Sequence, residues 1–202
     1  MSRSGRGWGP QDGKAKPADE YDIRYGSGLL AQVSRQCPPY VVVSTPRAYG
    51  TAQPYLEQQP AGVAYVDLLD WGQLQALADS LPDAAEGVVG LGGGRALDAA
   101  KYVALVKALP LVQVPTVVST GAIIHGTVAK WEGRNLIGSG AGWPWVDPEH
   151  VLVDYDVVLA APPYLNTAGL GDVLCGYSGV AEWRRSARLG LVPPAIMSSA
   201  SE

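Results

Sequence analysis

Between Gly87 and Ala108 an apolar run, Gly87-Val-Val-Gly-Leu91, passes through three successive glycines, Gly92, Gly93 and Gly94, into a helical pattern from Arg95 to Ala108. No other stretch restricts the fold as strongly. A short apolar run bounded by turn residues suits a strand buried on both faces. Such strands belong to parallel sheets covered by helices. Glycines lack a Cβ and let the backbone approach a ligand closely. The helix start behind them offers unpaired N–H groups and the positive end of a dipole, which suits a pyrophosphate. The common dinucleotide spacing is not met, because Arg95 stands where Gly or Ala would close it. A plain strand-to-helix turn without a ligand therefore stays open from these residues alone. Asp98 and Lys101, one helical turn apart, also read as a surface ion pair.

The rest of the chain repeats the alternation. Tyr21–Tyr25 reads as a short strand, and Gly26-Ser-Gly28 as a turn opening a helix through about Cys37. Tyr40–Ser44, Gly62–Leu68, Pro110–Val114 and Val151–Val153 read as further strands, and Trp71–Leu81 as a helix ended by Pro82. Strands alternating with helices predict an open parallel α/β sheet. Residues 119–150 read as a loop-and-hairpin insertion. Tyr164–Leu189 carries no strand signal and reads as helix, and the last residues from Val192 as a frayed end.

Composition excludes some classes. Gly (25) and Pro (16) are too few among 202 residues for a wholly disordered chain. The net charge is −4, and residues 48–94 hold six acids without a Lys or Arg, so no footprint for a nucleic-acid backbone is present. No apolar run reaches about 18 residues, so no membrane span is expected. The first 20 residues lack the apolar core of a secretory signal and read as a disordered tail. Cys37 and Cys175 are too few for a disulfide framework and lack metal spacing. They read as buried or half-buried free thiols of a cytoplasmic protein.

Two further motifs follow the glycines. Val114-Pro115-Thr116-Val-Val-Ser119-Thr120-Gly121 sets hydroxyls at the carboxyl end of a strand, where open α/β sheets bind ligands; a Ser/Thr-rich turn is the alternative. Asp154-Tyr-Asp-Val-Val-Leu-Ala-Ala-Pro162 is followed by Ala168-Gly169-Leu170-Gly171-Asp172. From position alone, that last acid reads as a helix cap or first-turn dipole partner. Taken in order, the three motifs closely resemble the superfamily of iron-containing alcohol dehydrogenases, glycerol dehydrogenases and dehydroquinate synthases, over residues 21 to 188. Gly171-Asp172 and the Lys101–Ala104 helix look most like glycerol-1-phosphate and glycerol dehydrogenases.

The resemblance implies a Rossmann-like α/β domain over residues 21–161 that binds NAD or NADP. The start of an all-α metal and substrate domain would follow over residues 162–202, behind a disordered tail at 1–20. It implies that Gly92, Gly93 and Gly94 cradle the pyrophosphate with Asp98 in the same segment. Thr116 and Ser119 would line the nucleotide, and Thr45 would stand where relatives often carry an acid on the adenosine ribose. Asp172 would be a ligand of zinc or iron beside the substrate hydroxyl. The implied reaction is NAD(P)-dependent, metal-assisted oxidation of a CH–OH group of a small polyol or glycerol phosphate, in a possible homo-oligomer.

This chain departs from the pattern. Gly121 replaces a substrate-contacting Asp, and His125 replaces a small hydroxyl residue that contacts the cofactor. Relatives supply two metal-binding histidines beyond Asp172, whereas His125 and His150 both precede it. The metal site is therefore read as absent from these 202 residues, and the chain as a truncated or divergent member, catalytically silent or nearly so. A dehydroquinate synthase-like cyclase, suggested by Gly133-Arg-Asn-Leu-Ile-Gly138, and a non-catalytic nucleotide-binding remnant are the alternatives.

Overall fold

The computed structural model describes residues 20–36, 39–119, 121–124, 128, 130–133, 135–138 and 146–191. The expected tail before Glu20, Cys37, Thr120, His125 and the end from Val192 lie outside the described residues. Six strands form one parallel sheet: β1 (Ile23–Gly26), β2 (Tyr40–Ser44), β3 (Gly62–Tyr65), β4 (Gly87–Gly92), β5 (Leu111–Pro115) and β8 (His150–Asp154). Their order is β1-β8-β5-β4-β2-β3. The expected parallel α/β sheet is what the chain forms. Within the predicted insertion, β6 (Lys130–Glu132) and β7 (Asn135–Gly138) make an antiparallel hairpin.

The central strands are buried on both faces and sort their side chains with period two. Val41, Val43, Val88 and Leu111 face helices α3 (Trp71–Asp79) and α4 (Gly94–Lys107). Val42, Val89, Leu91, Val112 and Val114 face α1 (Val33–Gln36), α2 (Pro46–Ala52) and α5 (Tyr155–Leu159). Each fully buried Val or Leu contributes on the order of 1.5–3 kcal/mol. Gly90 is what lets α4 lie close to the sheet. A Cβ there would meet the Gln113 side-chain oxygen and come within 2.8 Å of the Ala100 Cβ. Gln113, wholly buried, donates from Nε2 to the Leu97 carbonyl at 3.1 Å.

The structure also departs from the expectations. The predicted first helix is a 3-10 turn at Leu30–Gln32 followed by the single turn of α1. Strand β3 ends at Tyr65, although Val66 N–H still donates to the Ser44 carbonyl. Helices α2 and α5 were not expected, yet both carry ordinary start signals. Thr45 Oγ1 accepts the Ala48 N–H and Pro46 follows at the first helical position, while Asp154 accepts the Asp156 N–H. Asp154, wholly buried, also accepts the Leu30 N–H at 2.7 Å. One carboxylate thus joins the end of β8 to the turn after β1.

Helix α6 (Pro163–Arg188) runs for 26 residues. Cys175 lies on it as an exposed free thiol, not the buried one expected. Its apolar sequence neighbours recur at helical spacing, but the face they form is not covered by described residues. No described helix is long and apolar enough to cross a membrane.

Candidate functional site

The sheet changes direction between β2 and β4. The chain leaves β2 through α2 on one face towards β3, and leaves β4 through α4 on the other face towards β5. Open α/β sheets hold ligands in the crevice at the carboxyl ends of the strands beside such a reversal. Gly92–Gly94 and Thr45 both lie there. Gly92 has φ +152°, and a Cβ on it would come within 2.7 Å of the Ala96 Cβ and 3.6 Å of the Ala48 Cβ. Its backbone conformation and the close approach of α4 both favour glycine.

Gly93 is the N-cap of α4, with no side chain capping the helix and no acid in the first turn. Its carbonyl accepts the N–H groups of Ala96 and Leu97 at 2.9 and 3.1 Å. The helix start therefore presents N–H groups and a positive dipole end that no side chain answers. Gly93 itself has ordinary extended angles (φ −87°, ψ −175°), and a Cβ there would lie 3.3 Å from Val117 Cγ2. The gap between Gly93 and Val117 is the space that its missing side chain leaves.

Thr116 sits on the next strand's end. Its N–H donates to the Gly92 carbonyl at 3.0 Å. The residue is 6% exposed, and among the described residues its hydroxyl has no hydrogen-bond partner. Ser119, half-buried, lies three residues further along the same loop. Thr45, half-buried, uses its hydroxyl oxygen to cap α2 at 3.3 Å from the Ala48 nitrogen, which leaves the hydroxyl proton to donate elsewhere.

Asp98, half-buried, lies one turn into α4. Lys101 Nζ donates to it at 2.9 Å, with the Lys101 side chain wholly buried and that of Asp98 17% exposed. This corrects the surface-pair reading, because α4 turns both residues towards the protein interior. Burial pushes the Asp98 carboxyl above its ordinary pKa and the Lys101 ammonium below its own, and the ion pair opposes both shifts.

Asp172 lies in the middle of α6, so it is not the helix cap that its sequence position suggested. It is exposed and lines a cleft of about 590 Å³ with Val118, Gly121, Asn166 and Leu170. Asn166 was missed in the sequence, and it sets this side of the site. Its Oδ1 accepts the Val118 N–H at 3.0 Å, and its Nδ2 donates to the Val158 carbonyl at 2.9 Å. Three residues on, a Cβ at Gly169 would run into the Val118 carbonyl oxygen. The only local hint was a polar residue one turn before a glycine. Its partners lie 48 and 8 residues away.

Among the described residues no three His, Cys, Asp or Glu side chains come together as a metal site. His150 lies at the opposite end of β8 and contacts Asp22 at 2.6 Å.

A family model for iron-containing alcohol dehydrogenases matches residues 53–162. A glycerol-1-phosphate dehydrogenase [NAD(P)+] of Thermofilum pendens is 32% identical over 168 residues, 80% of this chain and 48% of that protein. A protein of the same description from Aeropyrum pernix is 33% identical over 113 residues, 56% of this chain and 31% of that protein. The chain thus spans half or less of the length of these curated relatives. Among solved structures, glycerol dehydrogenase from Schizosaccharomyces pombe shares the fold, with a TM-score of 0.65 and 21% identity over 76% of this chain and 42% of that one.

Proposed function

The chain belongs to the iron-containing alcohol dehydrogenase family, and on that premise we propose that it binds NAD(P) at the β2–β4 crevice as part of an oxidoreductase acting on a CH–OH group of a small polyol or glycerol phosphate. The observation that carries the reading is the uncapped start of α4 behind Gly92 and Gly93. Its N–H groups and dipole suit a pyrophosphate, and the absence of a Cβ on Gly93 leaves the backbone open to approach. The Thr116 hydroxyl, which no described residue engages, donates to the same nucleotide, and Ser119 lines it further along. Thr45 faces the adenosine side. The buried Asp98–Lys101 pair acts indirectly, by fixing the first turns of α4 against the sheet.

When bound, the nicotinamide supplies a hydride acceptor for the carbinol carbon. Asp172 and the cleft beneath it form the substrate end, where the carboxylate accepts a hydrogen bond from a polyol hydroxyl. Asn166 and Gly169 hold that end against the nucleotide loop. A zinc or iron site does not fit the described residues, since Asp172 stands without the two or more further ligands that such ions take. No step is therefore assigned to a metal. We place the nucleotide-binding unit at residues 21–161 and a second unit from 162. The glycerol-1-phosphate specificity of the named relatives is the substrate we favour, and the unpaired thiol of Cys175 supports a cytoplasmic location.

Titration of the 202-residue chain with NADH and NADPH, followed by nucleotide fluorescence, tests the reading. Gly93→Val should weaken both by about ten-fold or more while the far-UV circular dichroism stays the same, because the backbone there is ordinary and only the space is lost. Unchanged affinity in the folded variant would overturn it. Glycerol 1-phosphate oxidation with added zinc should stay several powers of ten below that of an ordinary dehydrogenase, since each ~1.4 kcal/mol of lost stabilisation is tenfold in rate. Rapid zinc-dependent turnover would require ligands for Asp172 that its described neighbours lack.

A further inference from the structure

Among the described arginines of the sheet unit, Arg47 differs from the others. It lies on the first turn of α2, is exposed, and has no ion pair or hydrogen bond from its side chain among the described residues. The other described arginines of the sheet unit all have carboxylates within reach. Arg24 holds Asp22 at 2.7 Å, Arg35 holds Glu57 at 3.0 Å, and Arg95 lies 4.0 Å from Asp67. Arg95 is further engaged by the Asp67 carbonyl at 2.6 Å. Helix α2 has no acid of its own, and Glu57 beyond it is taken by Arg35.

Position makes that free cation informative. The next residue, Ala48, is the α2 residue nearest Gly92, with its Cβ 3.6 Å from where a Gly92 Cβ would sit. Two residues earlier stands Thr45, at the end of β2, with a hydroxyl proton free to donate. In sheets of this kind the end of the strand beside the glycine turn meets the adenosine ribose. A carboxylate there holds the 2′-hydroxyl of NAD, whereas an arginine nearby accommodates the 2′-phosphate of NADP. This chain has no carboxylate at the end of β2 and an unpaired guanidinium one turn beyond it. A guanidinium fork matches phosphate geometry and retains its charge at any working pH.

We propose that Arg47, with the Thr45 hydroxyl beside it, is the recognition element for the 2′-phosphate of NADP(H) and makes this chain accept the phosphorylated cofactor. The proposal rests on the nucleotide reading of the crevice and assigns its adenosine end. The unmodified protein binds NADPH at least as tightly as NADH. Arg47→Ala weakens NADPH about ten-fold and NADH far less, Arg47→Lys restores part of the loss, and Arg47→Glu reverses the preference.

The test is a fluorescence titration of these variants with NADPH and NADH, joined by competition with 2′,5′-ADP and 5′-ADP, which carry the adenosine end alone. Arg35→Ala serves as a control for the loss of one positive charge, and melting curves establish that each variant is folded. Selective loss of NADPH and 2′,5′-ADP in Arg47→Ala, absent in Arg35→Ala, supports the proposal. Equal loss of both cofactors, no loss, or an unmodified protein that binds NADH and rejects NADPH overturns it and leaves the crevice reading standing. Binding of neither cofactor by the unmodified protein removes the crevice reading, and this assignment with it.

Discussion

Helix α4 buries eight of its fourteen residues, whereas α6, with twenty-six, buries none. Both look helical in the sequence and both border the candidate site, so the difference lies in what each has to pack on. Ala96, Ala99, Ala100 and Ala104 bring α4 close to the sheet, where Gly90 leaves room for it. Leu170, Val173, Leu174 and Tyr177 recur on α6 at the same helical spacing but are 64–79% exposed. The N-terminal part of α6 is held by the Asn166 hydrogen bonds and by the fit of Gly169 on Val118. The proposed pyrophosphate site thus sits on the well-buried helix, and Asp172 on a helix held by a few polar contacts.

The sharpest way to break this contrast is to cut the same kind of side chain from each helix. Leu97→Ala in α4 should cost about 2–5 kcal/mol, because Leu97 is wholly buried. Leu174→Ala in α6 should stay within about 0.5 kcal/mol, because Leu174 is 67% exposed. Urea unfolding measures both, and equal losses would show that α6 is packed on something the contrast leaves out.

Asn166→Ala sharpens the comparison from the other side. It removes two hydrogen bonds, each contributing about 0.5–1.5 kcal/mol. The backbone amides of residues 163–175 should then exchange faster in a hydrogen-exchange experiment, while those of α4 keep their protection. Faster exchange in both helices would mean that the clamp supports the whole fold.

The smallest effect lies at the far end of the sheet. The hydrogen-bonded Arg24 guanidinium, and then His150, hold the Asp22 carboxyl below the usual carboxylate range. A carboxylate with a depressed pKa adds stability above its unfolded value and loses it as pH falls through its folded value. Asp22 is well exposed, so solvent screening leaves at most about 0.2–1 kcal/mol. The stability gap between the native chain and Asp22→Asn should therefore close as pH falls below about 4. A gap that persists at lower pH would assign the effect to packing at the β1 edge.

Much of the fold was legible because its signals are local. The strand at 40–44, the helix from Trp71 and the strand–glycine–helix unit at 87–108 each state their type within a dozen residues, through periodicity and turn chemistry. Helices α2 and α5 were not expected, because although Thr45-Pro46 and Asp154 are start signals, the helices are too short to show a period. The site was legible in part. Gly92–Gly94 and Thr116 meet at neighbouring strand ends, whereas Asp98 turned inward to Lys101 and Asp172 moved from a supposed helix start to mid-helix. Asn166 gave no usable signal, since an asparagine in a helix says nothing of a backbone group 48 residues away.

Local chemistry therefore settles which segments become strand or helix, where helices begin, and that a glycine turn with open N–H groups exists at all. Hydrophobic periodicity reports that a face is apolar and is silent on what will cover it. The pairing of Gly90 with Gln113, of Asp154 with Leu30 and of Asn166 with Val118 arises only once the sheet is assembled. Those contacts join positions far apart in the chain, and their geometry is set by strand order and layer spacing. The same assembly sets Ala48, the neighbour of Arg47, against Gly92, and buries Lys101 where its spacing had suggested a solvated pair.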